Sequence, residues 1–149
     1  MLKTTKHLAV AGLITLLSAG HALAERVQPF ILASSGPGDF AGTVSDTKNK
    51  LTGAGFEVVG THAPYAGAEI IVITNDEMKT AATKSERGGY GAAMRVSVTD
   101  NAGNIEVAYT NPKYWANAYR MASNLDGVTS KLASALDGVT SKLASALGS

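Results

Sequence analysis

The 149-residue chain contains no cysteine. That excludes disulfides, thiolate metal sites, Cys-x-x-Cys redox chemistry and a cysteine nucleophile. Histidine is almost as scarce. Of three, His7 and His21 stand in the first two dozen residues, leaving His62 alone in the rest. No second metal ligand stands at a recognisable spacing from His62, and a lone histidine would be the only base for a serine nucleophile. No Gly-x-Ser-x-Gly elbow is present. Charge of either sign is not in excess, with a formal net charge of +1. There is therefore no basic field for nucleic acid and no acidic field for cations. Long apolar runs are missing too. The longest, Leu8 to Gly20, falls short of the roughly 20 residues that span a bilayer.

That run has a different use. Lys3 and Lys6 precede it, and Ala22-Leu23-Ala24 follows with small residues at the two positions read by a signal peptidase. The pattern predicts a signal peptide over 1–24, cleavage after Ala24 and export, in a bacterium to the periplasm. No cysteine follows the apolar run, which excludes a lipoprotein anchor. Cleavage takes 24 of 149 residues and leaves 125, and removing Lys3 and Lys6 from 13 basic residues leaves 11 against 12 acidic ones. A domain of this size buries about two thirds of its unfolded surface, enough for a core without covalent staples.

The remainder divides into a domain over 25–124 and a C-terminal helix over 125–149. Val27 to Ser35 reads as a strand that Pro29 restricts to an edge or to a start at Phe30. Asp39 is a candidate N-cap for a helix to Ala54. Phe40, Val44, Thr47, Leu51 and Ala54 share its inner face, and Gly55 stands where a left-handed residue closes it. Strands are expected at Phe56–Thr61 and Ala68–Thr74, joined by a loop. The second is apolar on both faces, which makes it a central strand covered on one side by helices. Thr74-Asn75-Asp76-Glu77 has capping-box spacing for a short helix to Ser85, with Met78, Ala81 and Ala82 inward.

The segment from Gly88 to Arg120 holds four of the five tyrosines and the only tryptophan. Tyr90, Ala92, Met94, Val96 and Val98 alternate with polar or small residues, as do Ile105, Val107 and Tyr109 beyond Asp100-Asn101-Ala102-Gly103. A hairpin follows, with Val98 expected opposite Ile105, Val96 opposite Val107, and Met94 opposite Tyr109. Ser97 then opposes Glu106, with Arg95 diagonal to it. Asn111-Pro112 starts a helix, with Tyr114, Ala118, Met121 and Leu125 on one face and Trp115 and Tyr119 beside them. The tail is an exact repeat: LDGVTSKLASA runs from Leu125 to Ala135 and again from Leu136 to Ala146. Its apolar residues keep an eleven-residue helical period, with Gly138 as the expected kink. One copy is expected on the sheet, with the second projecting or pairing with another molecule.

The strand–helix–strand–strand–helix–hairpin–helix order resembles exported bacterial members of the domain-of-unknown-function 302 family. So do GYGAAMRVSVT, EIIVITN and NPKYWANAY, and the Gly-Phe after the first helix. The resemblance covers about Phe30 to Leu136. It implies a small α+β domain and no reaction. Together with the elements above, the expected fold is α+β, an antiparallel or mixed sheet of about five strands with helices mainly on one face and a long C-terminal helix.

Candidate chemistry is narrow. Met78, Met94 and Met121 fall on core faces and are explained by packing. Arg87-Gly88-Gly89-Tyr90-Gly91 precedes a strand and lacks a phosphate loop's Lys-Ser/Thr ending, so a turn with tight backbone passage explains it better than an anion cradle. No catalytic residue, metal ligand or cofactor is assigned. The remaining candidates are Tyr90, Arg95, Tyr114, Trp115, Tyr119 and Arg120, residue types enriched at binding surfaces. The architectural alternative packs Tyr114 and Trp115 on the sheet and sets Tyr119 over its edge. These observations favour a small exported binding or accessory protein, non-enzymatic, that engages a small molecule or protein partner. A structural role, with a homodimer through the C-terminal helix, stands second, and an enzyme of unassigned class third. Nucleic acid is not an expected partner, nor is a membrane after cleavage.

Overall fold

The computed structural model describes residues 27–139. The leader, its cleavage site and most of the second repeat copy lie outside them. Five strands form one sheet: β1 (Phe30–Pro37), β2 (Glu57–His62), β3 (Ala68–Thr74), β4 (Met94–Asn101) and β5 (Asn104–Thr110). Their order is β1-β5-β4-β3-β2, and every neighbouring pair is antiparallel. Among the described residues four helices accompany them: α1 (Phe40–Gly53), α2 (Asp76–Ala82), α3 (Pro112–Ala118) and α4 (Asp126–Leu136). A 3₁₀ turn at Gly88–Gly91 leads into β4. The expected α+β class, strand number and one-sided helical layer are all present.

Alternation sets the faces. Ile71, Ile73, Met94, Val96, Val98, Ile105, Val107 and Tyr109 point to the helical side and are buried. Leu51 of α1, Met78 of α2 and Leu125, Val128, Leu132 and Leu136 along α4 meet them in one core. Burial raises the Tyr109 phenol above its ordinary value, because the phenolate would lose its hydration. A raised folded-state value means stability is complete below the unfolded phenol's pKa, about 10, and falls as pH rises past it. Tyr109→Phe is therefore expected to flatten the alkaline limb of a stability–pH profile measured by urea melts, with little change at neutral pH.

The structure departs from the sequence expectations at four places. The β4–β5 register is two residues away from the expected one. Val98 faces Val107, Val96 faces Tyr109 and Thr99 faces Glu106, so Ser97 lies opposite Ala108 rather than Glu106. The strands run on to Asn101 and Asn104, and the loop is only Ala102-Gly103, with φ of 54° and 86°. Two positive-φ residues make the tight hairpin turn whose twist matches the strands. A two-residue slip leaves each side chain on its own face, so alternation cannot distinguish the two registers.

The α2 cap is Asn75, whose side-chain oxygen accepts from the Met78 N–H at 2.8 Å. Thr74 is the last strand residue, and its hydroxyl donates to the Ala92 carbonyl at 2.6 Å. The expected continuous helix from Pro112 into the tail is broken. α3 stops at Ala118, and Arg120 and Leu125 take left-handed φ of 50° and 58° before α4 begins. Finally, packing ignores the repeat boundary. Leu136 and Val139, from the start of the second copy, are as fully buried as Leu125 and Val128 from the first. Gly138 has φ of 63° just past the end of α4, where a bend was expected.

Candidate functional site

The sequence positions α3 through its first residues. Asn111 accepts from the Lys113 N–H at 3.1 Å, and Pro112 occupies the first helical position, where no donor is needed. The helix buries Ala116 and half-buries Trp115 against the core. Four residues on, Tyr119 lies over Trp115 with ring centroids 5.0 Å apart. Tyr114 is tilted against Trp115 at 6.1 Å.

The other side of the row comes from the 3₁₀ turn. Tyr90 stacks on Tyr119 with centroids 4.9 Å apart and planes 19° from parallel, yet its residue remains 67% exposed. Two glycines make that placement feasible. A Cβ at Gly88 would collide with the Ala82 backbone, and one at Gly91 would fall on the Met121 sulfur. The glycine-rich segment thus serves close backbone passage. Its neighbour Arg87 helps line an open cleft of about 390 Å³ with Glu86, Ala118, Tyr119 and Arg120.

The segment carrying Arg120 is tied down. The Arg120 N–H donates to the Asn117 carbonyl at 3.2 Å, and the Met121 N–H to the Ala116 carbonyl at 2.8 Å. These are the two bonds of a Schellman helix end, in which the left-handed position is normally glycine. The chain closes α1 with the same pair, Gly55 N–H to Thr52 at 3.0 Å and Phe56 N–H to Leu51 at 3.0 Å, and there the position is Gly55. At α3 an exposed arginine takes it. The Ala122 N–H then donates to the Ser85 hydroxyl at 2.7 Å, linking this end to the segment after α2.

Of the residues singled out from sequence, the structure gathers Tyr90, Tyr114, Trp115 and Tyr119 into one row and sets Arg120 in the adjoining cleft. Trp115 packs against the core, Tyr114 and Tyr119 are half-buried, and Tyr90 is exposed. Arg95 is not with them. It lies on β4 between residues of the inner face, so its side chain belongs to the opposite side of the sheet from the helices. Arg87 and Glu86 were not in the candidate set; Arg87 was legible only as the flank of a glycine-rich turn, and Glu86 carried no signal. His62 is exposed at the end of β2, opposite Ile70, and does not line the cleft. Met78 and Met94 are buried in the core, as their periodicity predicts. Among the described residues no three His, Asp or Glu side chains converge as a metal site, and no helix is long and apolar enough to cross a membrane.

The molecule is thus an α+β domain built on a five-stranded antiparallel sheet with an aromatic and arginine-lined cleft on its helical side. Its fold matches the crystal structure of an uncharacterized conserved protein, DUF302, from Bacillus stearothermophilus. The TM-score is 0.64 at 12% identity, over 74% of this chain and 97% of that one. At that identity the likeness is one of fold, and it agrees with the resemblance in motif order. No protein-family model and no curated protein matches the sequence.

Proposed function

We propose that this chain is a small exported binding protein that takes a planar, anionic small molecule at the Tyr90–Tyr119–Trp115 row. The ligand's ring would extend the existing stack, and its anionic group would meet Arg87 and Arg120. The observation that carries this reading is the Tyr90–Tyr119 stack, with Tyr90 exposed, beside a cleft lined by Arg87 and Arg120. An aromatic stack contributes about 0.5–1.5 kcal/mol beyond burial, and a charge-assisted hydrogen bond about 1.5–3 kcal/mol. Glu86 at the rim discriminates against ligands carrying a second anionic group on that side. No nucleophile and oriented base come together in the cleft, which favours binding over catalysis. Pairing of two copies through the C-terminal helix has little support, because α4 commits its apolar stripe to its own core.

Trp115 is the only tryptophan, so its fluorescence reports on the row directly. The test uses chain exported by its own leader, with intact mass expected to show Glu25 as the first residue. Titration with aromatic carboxylates and aryl phosphates is expected to change the emission saturably. Tyr119→Ala should weaken the best binder by about tenfold, the equivalent of one stacking contact. Emission that stays flat across the panel would count against the binding site, and a retained leader against export.

A further inference from the structure

We infer that the face of the sheet opposite the helices is a homodimer interface, packed against the same face of a second copy about a two-fold axis, with Arg95 of each copy paired to Glu106 of the other. The inference is independent of the ligand site, which lies on the helical side.

The face is read from the strand registers. Its middle row runs Leu32–Ala108–Ser97–Ile70–His62 across all five strands. The row toward one end holds Phe30, Thr110, Arg95 and Val72, and the row toward the other holds Ser35, Glu106, Thr99 and Ala68. No described helix packs on this side, and Phe30 and Leu32 remain 52% and 58% exposed. Ile70 and Val72 are half-buried, while Ala68 and Thr110 at the two ends of the face are buried. An antiparallel sheet with one solvated face reads as apolar alternating with polar, whereas apolar residues on both faces mark a strand covered on both. β3 is of the second kind, with Ile71 and Ile73 facing the helices and Ile70 and Val72 facing away. Its second cover is not supplied by any described part of the chain.

The charges identify the occupant. Near the middle of this face stand one cation, Arg95, and one anion, Glu106, and among the described residues neither has an ion-pair partner. They occupy the two outer rows on adjacent strands, so they are too far apart to pair within one copy. A two-fold axis between the sheets, perpendicular to the strands and above the middle row, exchanges the two outer rows. Arg95 then comes to rest over Thr99 and beside Glu106 of the second copy, twice by symmetry. Leu32 meets Leu32 and Ile70 meets Ile70, while Ala108 and Ser97 at the centre are small enough for close approach of the sheets. A partner of other chemistry would need to match both charges and the middle row; a second copy does so by symmetry alone.

Sedimentation velocity of the full chain across a concentration series tests this. The wild type is expected to sediment as a dimer. Arg95→Glu and Glu106→Arg should each raise the dimer dissociation constant by about tenfold or more, because each brings like charges together. Combining the two substitutions should restore dimerisation, and Leu32→Glu should abolish it. Circular dichroism checks that each variant remains folded; Arg95 and Leu32 are exposed and Glu106 is half-buried. A wild type that stays monomeric at every concentration, including one whose face is covered by its own residues, would overturn the inference. So would single reversals without effect, or a double reversal that fails to regain the dimer.

Discussion

Leu132→Ala is expected to remove about 2–5 kcal/mol of stability, a large share of the roughly 5–15 kcal/mol that holds a domain folded. Leu132 lies mid-way along α4 and is fully buried, with Val128 and Leu136 a turn away on either side. Its truncation leaves a cavity that helix packing on one side and sheet on the other cannot easily close. The informative comparison is deletion of residues 136–146. Because the two copies are identical, that deletion moves Leu147 into the place of Leu136 and leaves the stripe Leu125, Val128, Leu132, Leu complete. Among the described residues, only the buried Val139 goes without replacement, a loss of about 1.5–3 kcal/mol. Urea melts should therefore rank the deletion above Leu132→Ala in stability, although it removes eleven residues and the other only part of one side chain. A deletion variant with no cooperative transition would show that the second copy contributes more than repetition.

Arg120→Gly is expected to make the protein more stable and a poorer binder at once. The left-handed backbone at Arg120 costs a non-glycine residue about 1–2 kcal/mol, part of which glycine returns through its greater freedom when unfolded. A net gain of about 1 kcal/mol in a urea melt is the expected result. The other left-handed side chain nearby has a structural reason: Leu125 is fully buried, and its conformation delivers it to the core. Arg120 is exposed, has no place in the core that would offset the strain, and lines the cleft, which points to its side chain as the reason. In the fluorescence titration the same substitution should weaken an anionic ligand by about tenfold or more, the loss of one charge-assisted contact. Greater stability with undiminished binding would remove Arg120 from the site.

Much of this was legible along the chain. The Asn111-Pro112 start, Gly55 as a helix end and the alternation of β4 and β5 are local signals, and each acts through a neighbour within a few residues. The stripe from Leu125 to Leu136 was legible for the same reason, since helical spacing alone puts those residues on one face. The candidate site was legible only in part. Trp115 and Tyr119 are a helical pair, but Tyr90 reaches them from a turn about thirty residues earlier, brought in by the close passage of Gly88 past Ala82 and Gly91 past Met121. Arg87 arrives with it.

Neighbouring residues alone set the elements, their inner faces and most of their caps, because hydrophobic period and capping chemistry are properties of adjacent residues. Three features emerged only on folding: the hairpin register, which turned on whether Ala102 accepts a positive φ; the break after α3, where Schellman bonds form around an arginine; and the side of the sheet on which Arg95 stands. Each depends on how separate elements meet, and a period of two or of 3.6 residues carries no record of that.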